Sequence, residues 1–215
     1  NLQQREVLLI MEVVEMFPSC VIIQKLNFDI NKLKSNLDEF KEKGSKVQFS
    51  NVNGDQYDDY KNKDLSDAII EILPKKPEKE DLIDPSVYMW VNRNPKGARN
   101  SRHTHMTFTR PILLSGVYYV QVPENSGRIR FYDPRMISLI NPPEYDYYYD
   151  GAQYNFVNPQ DDMIIMFPSW FEHDVEENKS DEERISIGFN LFVEGLEKFG
   201  KGSFSSRQPF DRTFD

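Results

Sequence analysis

From residue 87 onward the chain is a succession of short apolar runs, too brief for helices and too rich in β-branched and aromatic residues for loops. Residues 87–91, 112–122, 129–132, 162–167 and 184–193 each read as a strand, and Gly127 marks a turn between two of them. The last run alternates. Arg184, Ser186 and Gly188 fall on one face and Ile185, Ile187 and Phe189 on the other, because successive side chains of a strand point to opposite sides. Short strands separated by turn residues predict a mainly β fold, a jelly roll or barrel in which the apolar faces close on each other.

The rest of the chain is mixed. Residues 1–16 fit either an amphipathic helix or a strand-like lead-in. Residues 20–26 are β-branched and read as a strand. Ile30, Leu33, Leu37 and Phe40 recur at helical spacing, so residues 31–43 read as a helix that Gly44 stops. Residues 54–63 are polar and loop-like, and residues 65–73 form a short helix closed by Pro74. The charged, proline-bearing segment 74–84 reads as a connection. The expected organisation is an N-terminal decoration over residues 1–80, a β core over 81–195 and a Gly/Ser/Phe/Arg-rich tail over 196–215 that is free or packed on a second copy in a homodimer.

Composition removes several function classes. The net charge of -9 in 215 residues argues against a general nucleic-acid binder, which needs a basic footprint. The local group Arg93, Lys96, Arg99, Arg102 and Arg110 is either a solvated loop or an attractor for an anionic substrate. Cys20 is the single cysteine, which excludes an intrachain disulfide and any cysteine metal cluster and suits a reducing, cytoplasmic setting. No apolar run approaches the ~20 residues of a membrane-spanning helix, and no signal-peptide pattern is present.

All three histidines lie in two short motifs. His103 and His105 form a His-Thr-His pair, and His173 ends the segment Phe-Pro-Ser-Trp-Phe-Glu-His. In an extended backbone, positions 103 and 105 face the same way, so both imidazoles can share one metal with a third arriving from a distant strand. Such a facial set leaves open positions, as in non-haem Fe(II) oxygenases. Eleven residues after His173, Arg184 opens an Arg-Ile-Ser triplet. Its planar guanidinium suits a carboxylate, with Ser186 on the same side to add a hydrogen bond.

These motifs carry a resemblance. Asn-Ser-Arg-His-Thr-His at 100–105, Leu-Ser-Gly-Val-Tyr-Tyr-Val at 114–120, Ser-Gly-Arg-Ile-Arg-Phe-Tyr-Asp-Pro-Arg at 126–135 and the segments 167–173 and 184–190 together resemble the Fe(II)/2-oxoglutarate-dependent oxygenases. The nearest likeness is to a prolyl-hydroxylase-like group from bacteria and phages. The resemblance implies a double-stranded β-helix, with Fe(II) and 2-oxoglutarate as cofactor and co-substrate. It implies hydroxylation of a small-molecule or peptidyl substrate by O2, with release of succinate and CO2. By the same likeness His103 and His173 bind the iron, Arg184 and Ser186 bind the distal carboxylate of 2-oxoglutarate, and Tyr118 or Tyr119 helps to hold it. Most of the superfamily has His-x-Asp where this chain has His103-Thr-His105. His105 is then a third imidazole ligand, or it contacts 2-oxoglutarate or substrate while Asp133 or Asp174 completes the shell.

Other residues are open to two readings. Asn190 shares a face with Arg184 and is expected to line the pocket, near Asn92 and Asn100. Arg130 and Arg135 either bind an acidic substrate or cap a turn near Asp133. Trp90 and Trp170 are expected as packing anchors. The Tyr/Asp-rich stretch 145–150, within a loop expected over 141–160, is either a lid or an acidic surface loop. Two other functions compete: a three-histidine dioxygenase that needs no 2-oxoglutarate, and a non-catalytic jelly-roll metal-binding protein.

Overall fold

The computed structural model describes residues 20–73, 83–106, 112–134 and 154–194. The strands among them are β1 (Ile22–Lys25), β2 (Lys46–Val47), β3 (Asn51–Val52), β4 (Asp55–Tyr60), β5 (Ile83–Asn94), β6 (Arg99–His103), β7 (Ile112–Gln121), β8 (Ile129–Tyr132), β9 (Tyr154–Val157), β10 (Met163–Pro168), β11 (His173–Val175) and β12 (Arg184–Glu194), with helices α1 (Ile30–Lys43) and α2 (Lys63–Glu71). They form a seven-stranded sheet in the order β1-β10-β7-β12-β5-β4-β2 and a five-stranded sheet in the order β3-β6-β11-β8-β9. All pairings are antiparallel. The expected mainly β, jelly-roll architecture is what the chain adopts.

Side-chain alternation sets the layers. On β12, Ile185, Ile187 and Phe189 point away from the smaller sheet and are buried with Met89, Val91, Tyr118, Val120, Ile164 and Met166. The two helices cover that face through Leu33 and Leu37 of α1 and Leu65 and Ile69 of α2. Both helices start where the sequence supplies a cap. The Asp29 side chain accepts from the Lys32 amide, and the Asn62 side chain accepts from the Leu65 amide. Arg93, on the sheet, donates to Glu183 (Nε to Oε2 at 3.0 Å) and to Asp38 of α1 at 2.6 Å, locking helix to sheet. The opposite face of the large sheet meets the small one. Tyr119, Ile165 and Phe167 pack there against Ile129, Phe131 and Phe171.

Two expectations about elements are corrected. Residues 54–63 are not a loop: β4 pairs with β5 and β2, burying Gln56, Tyr57 and Tyr60. Its Asp-rich composition hides a strand whose order comes from the partner strand. Within the expected loop 141–160, β9 pairs with β8 and exposes Tyr154 and Phe156. The lead-in over 1–16, most of the 74–84 connection, Arg110, Arg135, the Tyr/Asp-rich stretch and the 196–215 tail lie outside the described residues. The N-terminal portion is built into the sandwich: β1, β2 and β4 extend the large sheet and β3 the small one.

Candidate active site

The two histidine motifs meet because β6 and β11 are neighbours. His103 stands opposite His173 in their register. His105 follows the end of β6, and its amide donates to the Ser169 carbonyl at 2.9 Å, which turns the chain back over the site. One potential ligand nitrogen from each of the three rings lies within 4.8 Å of the others. His103 Nδ1 lies 2.6 Å from the Ser101 carbonyl oxygen and His173 Nδ1 lies 2.9 Å from that of Phe171. Donation of Nδ1–H to those carbonyls leaves each Nε2 lone pair for a metal. Burial pushes the imidazoles below their ordinary range, His105 to about 2 and His173 to about 3, with His103 moving the same way. Neutral rings at pH 7 are the form that coordinates a divalent cation.

Arg184 lines the same cavity. It is among the most completely buried side chains, at 1% exposure. Its Nη1 donates to the Ser126 carbonyl and, at 3.3 Å, to the Glu176 carbonyl. Gly127, at φ +92°, allows this: a Cβ there would lie 2.5 Å from the Glu176 oxygen and 3.0 Å from Arg184 Nη1. Among the described residues no carboxylate neutralises Arg184, and its Nη2 has no hydrogen-bond partner. The Tyr119 hydroxyl is likewise buried without a partner, and burial pushes it up to about 12. Ser186 lines the cavity beside them, as does Asn92, whose Oδ1 is also unpartnered. Buried polar groups are normally satisfied, so this concentration of unmet polar groups marks a ligand-binding region. Three neutral nitrogen donors beside an uncompensated guanidinium and a phenol fit a divalent metal with a dicarboxylate.

The structure separates the two candidate tyrosines. Tyr119 faces the cavity, whereas Tyr118 points to the helix-covered side, packs edge-on against Phe28 and donates to Asp162 at 2.7 Å. Asn190 is half-buried on the inward face of β12 and accepts from Ser115 Oγ at 2.8 Å. Asp174 is engaged elsewhere. Its carboxylate accepts from Arg130 at 2.7 and 2.6 Å and from the Tyr132 hydroxyl at 2.8 Å. Among the described residues the histidines are the metal-capable group, and neither Asp174 nor Asp133 joins it.

Arg130 therefore serves an ion pair on the outer face of the small sheet. The basic group around the first motif is also largely neutralised: Arg93 pairs with Asp38 and Glu183, Lys96 with Asp181, and Arg102 with Glu172. Trp90, expected as a packing anchor, stacks on His105 with ring centroids 5.6 Å apart. Ser126, Gly127 and the Glu176 carbonyl carry no sequence signal beyond a turn, since they act on Arg184 through backbone groups.

Residues 88–190 match the model of a family described as "Putative 2OG-Fe(II) oxygenase". No curated protein matches the chain by sequence. Three solved structures share its fold. A Pseudomonas putida prolyl-4-hydroxylase aligns with a TM-score of 0.59 at 15% identity, covering 82% of this chain and 94% of its own. A Trichoplax adhaerens prolyl hydroxylase, solved with a hypoxia inducible factor peptide fragment, gives 0.58 at 15% identity, covering 85% and 87%. HygX from Streptomyces hygroscopicus, solved with nickel, 2-oxoglutarate and hygromycin B, gives 0.51 at 10% identity, covering 82% and 84%. Fe(II) and 2-oxoglutarate are the metal and co-substrate that this family's description names. Residues 88–190 are thus similar to the 2OG-Fe(II) oxygenase family.

Proposed function

We propose that the protein is a hydroxylase in which His103, His105 and His173 hold Fe(II), while Arg184, Tyr119 and Ser186 receive the distal carboxylate of 2-oxoglutarate. One observation carries the assignment of the clamp. A buried guanidinium with an unpartnered Nη2 and a buried, unpartnered phenol line the same cavity as three neutral imidazoles. An uncompensated buried cation is costly, and an anionic ligand offsets that cost.

When bound, the metal and co-substrate supply the oxidising chemistry that places one atom of O2 in a substrate C–H bond and the other in succinate, with loss of CO2. The chain's own residues do the positioning. The Ser101 and Phe171 carbonyls fix two imidazole tautomers. The Ser126 and Glu176 carbonyls hold the guanidinium plane, so little side-chain entropy remains to be lost when a carboxylate docks. Phe131 and Phe167 pack around His173, with ring centroids 6.0 and 4.5 Å from it, and limit water near the metal. The substrate is a peptidyl group or a small molecule; structural neighbours were solved with ligands of both kinds.

Anaerobic titration with Fe(II) and then 2-oxoglutarate tests this reading. We expect a weak visible charge-transfer band in the wild type. In Arg184→Ala, the affinity for 2-oxoglutarate falls by about 30-fold or more, as for truncation of one partner of a buried charge pair. Fe(II) binding without any band would overturn the co-substrate assignment in favour of a three-histidine dioxygenase.

A further inference from the structure

The imidazole at position 105 occupies the place where the resembling enzymes carry a short carboxylate. A histidine needs more room than an aspartate and, being neutral, needs its tautomer fixed to present a lone pair. The fold supplies both around His105. Its ring stacks on Trp90 at 5.6 Å and on His173 at 5.1 Å, with interplanar angles of 24° and 4°. Trp90 fits because its neighbour across β5 and β12 is Gly188. A Cβ at Gly188 would lie 2.6 Å from Trp90 Cζ2 and Nε1. On the same inward face, the Asn190 side chain is close enough to act on the His105 ring as a hydrogen-bond acceptor. Ser115 stands opposite Asn190 in the β7–β12 register, is fully buried, and donates to Asn190 Oδ1 at 2.8 Å. The amide oxygen can accept two such bonds.

We propose that Asn190, held by Ser115, is a positioning residue that orients His105 as the third metal ligand by accepting one of its ring N–H groups. The other ring nitrogen then keeps its lone pair for the metal. Trp90 and Gly188 give the ring a fixed plane. The hydroxyl of Ser115 holds Asn190 Oδ1 towards the ring; without it, nothing in that bond stops the amide from rotating. This inference rests on the metal-centre reading above and adds to it a seat specific to the third histidine.

The test uses the full chain and Co(II), whose visible d–d absorption reports coordination number without turnover. Wild type is expected to bind one Co(II). Asn190→Leu is expected to bind about 10- to 100-fold more weakly, the usual cost of losing the hydrogen-bond partner of a ligand, with an altered d–d spectrum. Asn190→Asp, which retains an acceptor oxygen, is expected to restore the wild-type spectrum. Ser115→Ala gives an intermediate loss, and supplies the readout should Asn190→Leu fail to fold. Metal-free melting temperatures of the soluble variants are compared in parallel. Wild-type affinity and spectrum in both Asn190→Leu and Ser115→Ala, alongside loss of Co(II) in His105→Ala, would overturn the positioning role and leave the metal centre standing. Absence of Co(II) binding in the wild type would overturn the metal centre and this inference together.

Discussion

Tyr119 shows what a single buried atom costs and contributes. Its hydroxyl is buried without a partner among the described residues, so it stands as an unsatisfied donor until something fills the cavity. Tyr119→Phe should therefore leave the melting temperature of the ligand-free protein unchanged or raised. It should also weaken 2-oxoglutarate binding by about 1 kcal/mol, roughly fivefold. Paired melting curves and co-substrate titrations check both halves, and a lower melting temperature with unchanged titration would contradict the placement. Glu176 gives the pH counterpart. The Arg128 guanidinium hydrogen-bonded to it holds its carboxyl below the usual range. Its folded pKa lies below the unfolded value, so its stabilisation is present above about pH 4.5 and is lost as pH falls through the folded value. The pair is partly exposed, so solvent screens it and the effect is small. Urea midpoints should show Arg128→Gln less stable than wild type at pH 6, with the difference shrinking as pH falls below about 4.5.

At the scale of elements, β7 and β12 are the centre of the molecule. β7 lies between β10 and β12, and its backbone must come close to side chains from both neighbours. Gly116 marks that approach: a Cβ there would sit 2.6 Å from the Ile165 carbonyl oxygen and 2.8 Å from Phe189 Cε1. The Ile165 oxygen belongs to the sheet backbone and cannot swing away. Gly116→Ala is expected to destabilise by about 1–3 kcal/mol, the range for overpacking a filled core. Equilibrium urea denaturation measures it, and a wild-type midpoint would refute the close approach. The outer face of the small sheet shows the same economy of position. Glu172, Asp174 and Glu176 alternate outward along and beside β11 and meet Arg102, Arg130 and Arg128, while His173 between them points inward.

For the whole molecule, residues 20–73 complete both sheets rather than sitting beside them. β1 pairs with β10, β4 pairs with β5, and β3 pairs with β6 of the first histidine motif. Leu33, Leu37, Leu65 and Ile69 cover the outer face of the large sheet. Removing residues 1–80 would leave that apolar face and three strand edges bare, those of β10, β5 and β6, a recipe for edge-to-edge aggregation. A chain starting at residue 81 is expected to be insoluble or to lack cooperative melting; a soluble fragment with a sharp transition and one Co(II) bound would overturn this.

Much of the site was legible locally because its chemistry is local. The His-Thr-His pair, the later histidine, and Arg184 with Ser186 on one face of an alternating strand follow from residue type and a period of two. The β core was legible for the same reason, since its strands bury alternate residues. What only the tertiary structure decided are matters of register and partnership. It chose Tyr119 over Tyr118, because a one-residue step on β7 moves a side chain from the cavity to the helix-covered face. It engaged Asp174 with Arg130, made a strand of the Asp-rich β4, and brought backbone carbonyls to Arg184 across loops distant in sequence. Such contacts depend on which strands become neighbours, and short-range pattern carries no record of that.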